Sequence, residues 1–188
     1  PSAEIVLPGV LTEISGIACI DSTIFACVQD EMGIVFFFDS RKGQVVKQIP
    51  FSGKGDFEGI TKVNKSLFVL RSDGVLFEIS DYSAASPSVK IFNTGIPARE
   101  NEGLCYNSRN GTLLVACKQG YANDGYKNQL LVYSFDLKTK KLSDGPSIKI
   151  DIRVLRKLIK ENSIRIPGTD KDKIDELDFR LSEIGFNP

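Results

Sequence analysis

Two glutamates stand in the same short phrase, Glu58-Gly59-Ile60 and Glu102-Gly103-Leu104, and an earlier copy, Ser15-Gly16-Ile17, carries serine in the acid's place. Another acid precedes each glycine by three positions, at Glu13, Asp56 and Glu100. Carboxylates gathered around one axis repel one another unless water, a basic partner or a cation offsets their charge. Oxygen-only donors suit calcium or magnesium better than softer metals. The pattern therefore nominates Glu58 and Glu102 as direct or water-mediated ligands of a hard cation, with Ser15 contributing weakly or not at all. Glu13, Asp56 and Glu100 read as solvated residues at a mouth, attracting an ion without touching it. A competing reading has each glutamate accepting backbone N–H bonds, or pairing with Lys62 or Lys118 in a wet channel.

Histidine is absent from all 188 residues. Its absence removes Ser-His-Asp and Cys-His nucleophile arrangements, His-containing zinc sites and the commonest general base near neutral pH. The four cysteines include no C-x-x-C pair, so neither a zinc site nor a redox motif is signalled. Cys27 and Cys117 fall in a column that Leu70 fills in another copy, and Cys19 and Cys105 sit in apolar runs; all four are expected as buried, unpaired thiols.

The elements that must position these residues repeat with them. Gly16 to Gly59 is 43 positions and Gly59 to Gly103 is 44, a period in the range of a four-stranded propeller blade. Each phrase is followed by similar runs: Phe25-Ala26-Cys27-Val28, Phe68-Val69-Leu70-Arg71 and Val115-Ala116-Cys117-Lys118; then Val35 to Asp39, Val75 to Ile79 and Leu131 to Asp136; then Val46-Lys47, Val89-Lys90 and Ile148-Lys149. Asp21-Ser22, Asn64-Lys65 and Asn110-Gly111 supply turns between first and second strands. The fold class is all-β, a propeller of four-stranded antiparallel blades at about 11–51, 56–95 and 100–150, with the phrase opening the innermost strand of each. A long excursion, Lys118 to Asn128, reads as a solvated loop or a lip over one mouth.

After Ile150 the period changes. Ile152, Leu155, Leu158 and Ile159 keep helical spacing behind Asp151, with Arg153, Arg156, Lys157 and Lys160 on the other faces, and Lys173 to Ile184 offers a second, more acidic candidate helix. We read 151–185 as a short helical insertion after the third blade, with its charges on a solvated face. Lys plus Arg and Asp plus Glu balance at 24 each, so no basic footprint for nucleic acid exists. The longest apolar run, Ile34 to Phe38, is far short of a membrane span. The chain opens on Pro1, so any leader or anchor is expected to lie outside it.

Ile14-Ser15-Gly16-Ile17, Asp56-Phe57-Glu58-Gly59-Ile60, Ser72-Asp73-Gly74, Asn101-Glu102-Gly103-Leu104 and Ala116-Cys117-Lys118, in this order and spacing, resemble the SdiA-regulated, YjiK-like family of bacterial propellers. These are distantly similar to NHL-repeat and phytase-like propellers. The resemblance covers residues 11–150 well. It implies five blades, and hence one propeller domain over 1–188 that is incomplete at its C-terminus, with two further blades and a further channel glutamate expected after Pro188. It also implies a calcium site resembling a ring of Glu from such phrases, which points to Glu58 and Glu102, and a periplasmic or cell-surface setting. No complete catalytic constellation is visible. The expected function is a calcium-binding module for a protein or small-molecule ligand. The alternative is a metal-dependent hydrolase of phytase or lactonase type, in which a Glu acts as base; a purely structural propeller is the third.

Overall fold

The computed structural model describes residues 5–98, 100–118, 126, 128–166, 174, 179–181 and 184–185. Three antiparallel sheets follow one another along the chain. The first contains β1 (Ile14–Cys19), β2 (Ile24–Gln29), β3 (Ile34–Asp39) and β4 (Gln44–Pro50), paired in that order. The second repeats it with β5 (Phe57–Val63), β6 (Ser66–Arg71), β7 (Val75–Ser80) and β8 (Ser88–Asn93). In the third, β9 (Asn101–Asn107), β10 (Thr112–Cys117) and β11 (Gln129–Asp136) keep the pattern. The expected fourth strand at Ile148-Lys149 is divided: β12 (Lys141–Leu142) and β13 (Ile148–Asp151) pair with β11 in succession along one edge. The chain between them leaves the ladder at Ser143, whose N–H donates to Ser134 O, and rejoins it at Ser147.

The core lies between blades. One face of blade one, with Ala26, Val28, Val35 and Phe37, packs against Ile60, Leu67, Val69 and Ile79 of blade two. Phe51, Phe57 and Phe77 meet edge to face in this layer, with centroids 5.0, 5.3 and 5.8 Å apart. Phe68, Leu70 and Leu76 on the opposite face of blade two pack against Leu104, Val115, Cys117 and Leu131. Two lysines latch the blades at their outer strands. Lys47 donates to Tyr82 O at 2.6 Å, and Lys140 lies 3.6 Å from Glu78 and 4.7 Å from the Phe92 ring centroid.

Pairing shifts the expected cysteine column by one residue. Gly16 faces Val28, Gly59 faces Leu70 and Gly103 faces Ala116, so Val28 rather than Cys27, and Ala116 rather than Cys117, correspond to Leu70. In blade one the Asp21 turn is the cause: its carboxylate accepts the N–H groups of Thr23 and Ile24, closing three residues where Asn64-Lys65 closes two, and in blade three the turn over residues 108–111 closes four. Cys27, Cys105 and Cys117 are buried thiols outside any disulfide, as expected, whereas Cys19 is exposed, a correction. Cys19 shares an outward-facing side of β1 with Ile17, which is 49% exposed, so the blade packing that buries the other three thiols does not reach it. Burial pushes the Cys27 thiol up to about 11 and that of Cys117 up to about 12.

The helix α1 (Ile152–Glu161) begins where the sequence places it. Asp151 caps it, accepting Arg153 N–H at 2.8 Å. Ile159 turns inward, while Arg153, Lys157 and Lys160 are exposed. Most of the second candidate helix, most of the 118–128 excursion and the last three residues lie outside the described residues; the described part of that candidate, Ile174, Phe179 to Leu181 and Ile184, shows no α-helix. No helix among the described residues is long and apolar enough to cross a membrane.

Candidate functional site

The three inner strands reach the site through the same local irregularity. In β1 the register passes from Ile14 opposite Gln29 to Gly16 opposite Val28; in β5 it passes from Phe57 opposite Arg71 to Gly59 opposite Leu70. In β9 it passes from Asn101 opposite Cys117 to Gly103 opposite Ala116. Ser15, Glu58 and Glu102 are thus each the extra residue of a β-bulge. A bulge interrupts two-residue alternation and re-aims one side chain, the reason such features collect beside binding sites. Its effect shows in the core, where Phe57 and Ile60, three apart, both face blade one. Alternation alone would send them to opposite faces.

The glycine after the bulge allows the inner strands to touch at Gly16 and Gly59. A Cβ on Gly16 would stand 2.9 Å from Ile60 N, and one on Gly59 would stand 3.0 Å from Leu104 Cβ and 3.1 Å from Leu104 N. The repeated phrase therefore combines two roles, a glycine needed for close approach and a polar residue free to turn away from the core. Ser15 uses its freedom to donate to Phe57 O at 2.5 Å, tying blade one to the residue before Glu58.

Glu58 and Glu102 open into one cavity of about 450 Å³, which Ser15, Thr61, Lys62 and Cys19 also line. Lys118 pairs with Glu102 through its ammonium, while Lys62 instead donates to Ile20 O at 2.8 Å. Burial, then the nearby Asp56 and Glu102 carboxylates, push the Glu58 carboxyl up to about 7, and Lys118 offsets only part of this. Glu13, Asp56 and Glu100 are exposed, in keeping with mouth residues. Their carbonyls accept the N–H groups of Asp30, Ser72 and Lys118, which closes each bulge.

The raised Glu58 makes stability depend on pH. Between its ordinary value of 4.5 and about 7, the folded chain holds a proton that the unfolded chain has lost. Stability therefore falls as pH rises through this window when no cation is bound. Urea unfolding at pH 5 and pH 7.5, without divalent ions, is expected to show a larger loss for the native chain than for Glu58→Gln. An equal loss in both would remove Glu58 as the source.

The two glutamates nominated as ligands thus come together, and the alternative pairing with Lys118 is realised for Glu102. Among the described residues no three His, Cys, Asp or Glu groups converge as a preformed metal cage. Two carboxylates facing a wet cavity are oxygen donors of the type a hard cation takes, with most of its six to eight ligands left to water or a bound partner. The bulges and the choice of Lys118 are determinants that sequence reasoning missed. Their signal lies in the three-residue spacing of Phe57 and Ile60, and in a lysine at a position where the other blades have Asp30 and Ser72.

Solved structures similar to this chain are propellers. Glutaminyl cyclase from Myxococcus xanthus matches 93% of the chain with a TM-score of 0.56 at 15% identity. The computationally designed Ika4 protein matches 78% of the chain and 81% of its own length, with a TM-score of 0.52 at 11% identity. The Pan2 WD40 domain of Neurospora crassa matches 75% of the chain and 42% of its own, with a TM-score of 0.50 at 13% identity. At such identities the likeness establishes the fold alone, and this chain spans 63% of the glutaminyl cyclase. Curated protein sequences include no match. The model of one family matches residues 3–121, more than half of the chain and all of its first two blades. This chain belongs to the SdiA-regulated family.

Proposed function

We propose that this protein is a binding module in which calcium, held by Glu58 and Glu102, completes the mouth of the inner-strand cavity and helps to seat a protein or small-molecule ligand. The observation that carries the reading is the pair of bulged glutamates on adjacent blades, aimed into one cavity, with Lys118 paired to Glu102. A divalent ion would offset the mutual repulsion of Asp56, Glu58 and Glu102 and offer open coordination positions to a ligand's oxygens. So few protein charges make a weak site, of the kind filled at extracellular calcium levels. The setting that accompanies it is extracytoplasmic, in the periplasm or at the cell surface.

Thermal unfolding in EGTA, then with calcium or magnesium restored, tests the proposal. Calcium at about 100 times its dissociation constant adds roughly 2.7 kcal/mol, which corresponds to about 5–10 °C in a domain of this size. Magnesium, which gives up its water reluctantly, is expected to add less. A midpoint unchanged between EGTA and millimolar calcium would rule the site out.

A further inference from the structure

We infer that Lys118 is a built-in competitor for this site: its ammonium occupies the Glu102 carboxylate, and a divalent cation binds only by displacing it. The inference rests on the reading of Glu58 and Glu102 as cation ligands and concerns what sets their affinity. Lys118 follows the bulge at the end of β10 and is anchored from several sides. Its N–H donates to Glu100 O at 2.8 Å, and the preceding Cys117 Sγ lies 3.2 Å from Asn101 Oδ1. Asn101, fully buried, donates from Nδ2 to Ser72 O and Ala98 O at 2.8 and 3.0 Å. The lysine stem therefore leaves a fixed base, and its ion pair with Glu102 is half-buried, with the side chains 27% and 15% exposed. A pair so shielded is screened less than one on the open surface.

Lys118 also occupies a position that recurs in every blade. The residues whose N–H closes each bulge are Asp30, Ser72 and Lys118. The same strand geometry thus places an acid, a hydroxyl and a cation at three equivalent points around the mouth. Only the third brings a positive charge to a neighbouring bulged glutamate. Glu102 consequently meets an incoming ion already hydrogen-bonded to a charge, an interaction about twice as strong as a neutral hydrogen bond. On the blade of Glu58, Ser72 stands in the equivalent place and brings no charge to it. The two ligands are thereby made unequal: Glu58 has no cation to give up, whereas Glu102 becomes a ligand, and the ion is held, only as Lys118 swings away. Calcium affinity is lowered, and the site responds to calcium over a higher range than two free carboxylates would.

Calcium titration by calorimetry on the intact chain, with thermal midpoints in parallel, separates the possibilities. Lys118→Met keeps the aliphatic stem and removes the charge. It is expected to bind calcium at least tenfold more tightly than the native chain and to show the larger calcium-induced rise in midpoint. Lys118→Gln is a second route to the same result should Met perturb folding. Lys118→Arg retains a cation on Glu102 and should bind no more tightly than the native protein. Affinity that is unchanged or weaker in both Lys118→Met and Lys118→Gln would overturn the inference while leaving the site itself standing. Calcium heat absent from the native chain and from both neutral variants would overturn the site and the inference together. Binding seen only in the neutral variants would be the strongest support, since it would show the lysine holding the site shut.

Discussion

Replacing Phe57 with Ala is expected to cost about 3–5 kcal/mol, the largest loss of any single truncation next to the site. Phe57 is fully buried, and its ring meets Phe51 and Phe77 edge to face at 5.0 and 5.8 Å in the layer between blades one and two. Such pairs add to the burial of area itself. The backbone of Phe57 is itself pinned, because Ser15 donates to Phe57 O and the Phe57 N–H donates to Asp30 O, so the strand does not shift easily to fill the space. Urea unfolding at fixed pH is the measurement. Phe92→Ala, on the outer strand of blade two and only partly buried, provides the comparison and should lose much less. Equal losses for the two would mean that the inter-blade layer is not where the stability lies.

Gly59→Val is expected to rank next, at about 3 kcal/mol, the upper part of the roughly 1–3 kcal/mol that overpacking costs. A Cβ at this position already meets Leu104 Cβ at 3.0 Å and Leu104 N at 3.1 Å, and the two branches of valine add further overlap. Part of that surface is backbone, which cannot rotate away as a side chain can, so inner strands β5 and β9 must separate. Gly53→Ala is the control, since a Cβ there meets nothing within 4 Å. Near-native stability is expected for the control and a lowered urea midpoint for Gly59→Val; similar midpoints would show that the glycine phrase is not a packing requirement.

These two residues illustrate how much of the fold is legible in the sequence. The recurrence of Gly16, Gly59 and Gly103 places the blades and their inner strands, and at Gly16 and Gly59 the reason is visible, since a Cβ there would meet the neighbouring inner strand. Register is less legible. A turn longer by one residue at Asp21 moves every partner across the hairpin, so that Val28 and not Cys27 occupies the column of Leu70. Period counting registers length and not which residues a turn absorbs. The exposed Cys19 escapes for a related reason: its apolar neighbours suggest burial, but which blade face is covered depends on what packs against it.

At the site, the residue types are legible and their separation from the core is not. Glu58 and Glu102 stand out as acids in a repeated phrase, yet alternation does not place a side chain beside a glycine in a mouth instead of a blade face; the bulges do. Lys118 is visible as one of two candidate partners. Its selection over Lys62 follows from the backbone bond to Glu100 and from Lys62 being engaged by Ile20 O, both tertiary facts. Divided β12 and β13 likewise reflect hydrogen bonds of Ser143 and Ser147 with β11 that no local propensity encodes.

The central claim is that Glu58 and Glu102 hold a cation, and anomalous diffraction tests it most directly. Crystals of the intact chain grown in millimolar calcium should show an anomalous peak with oxygens of both carboxylates about 2.3–2.6 Å away, and the Lys118 ammonium displaced from Glu102. A map with no peak in this cavity, and Lys118 still paired with Glu102 at saturating calcium, would contradict it.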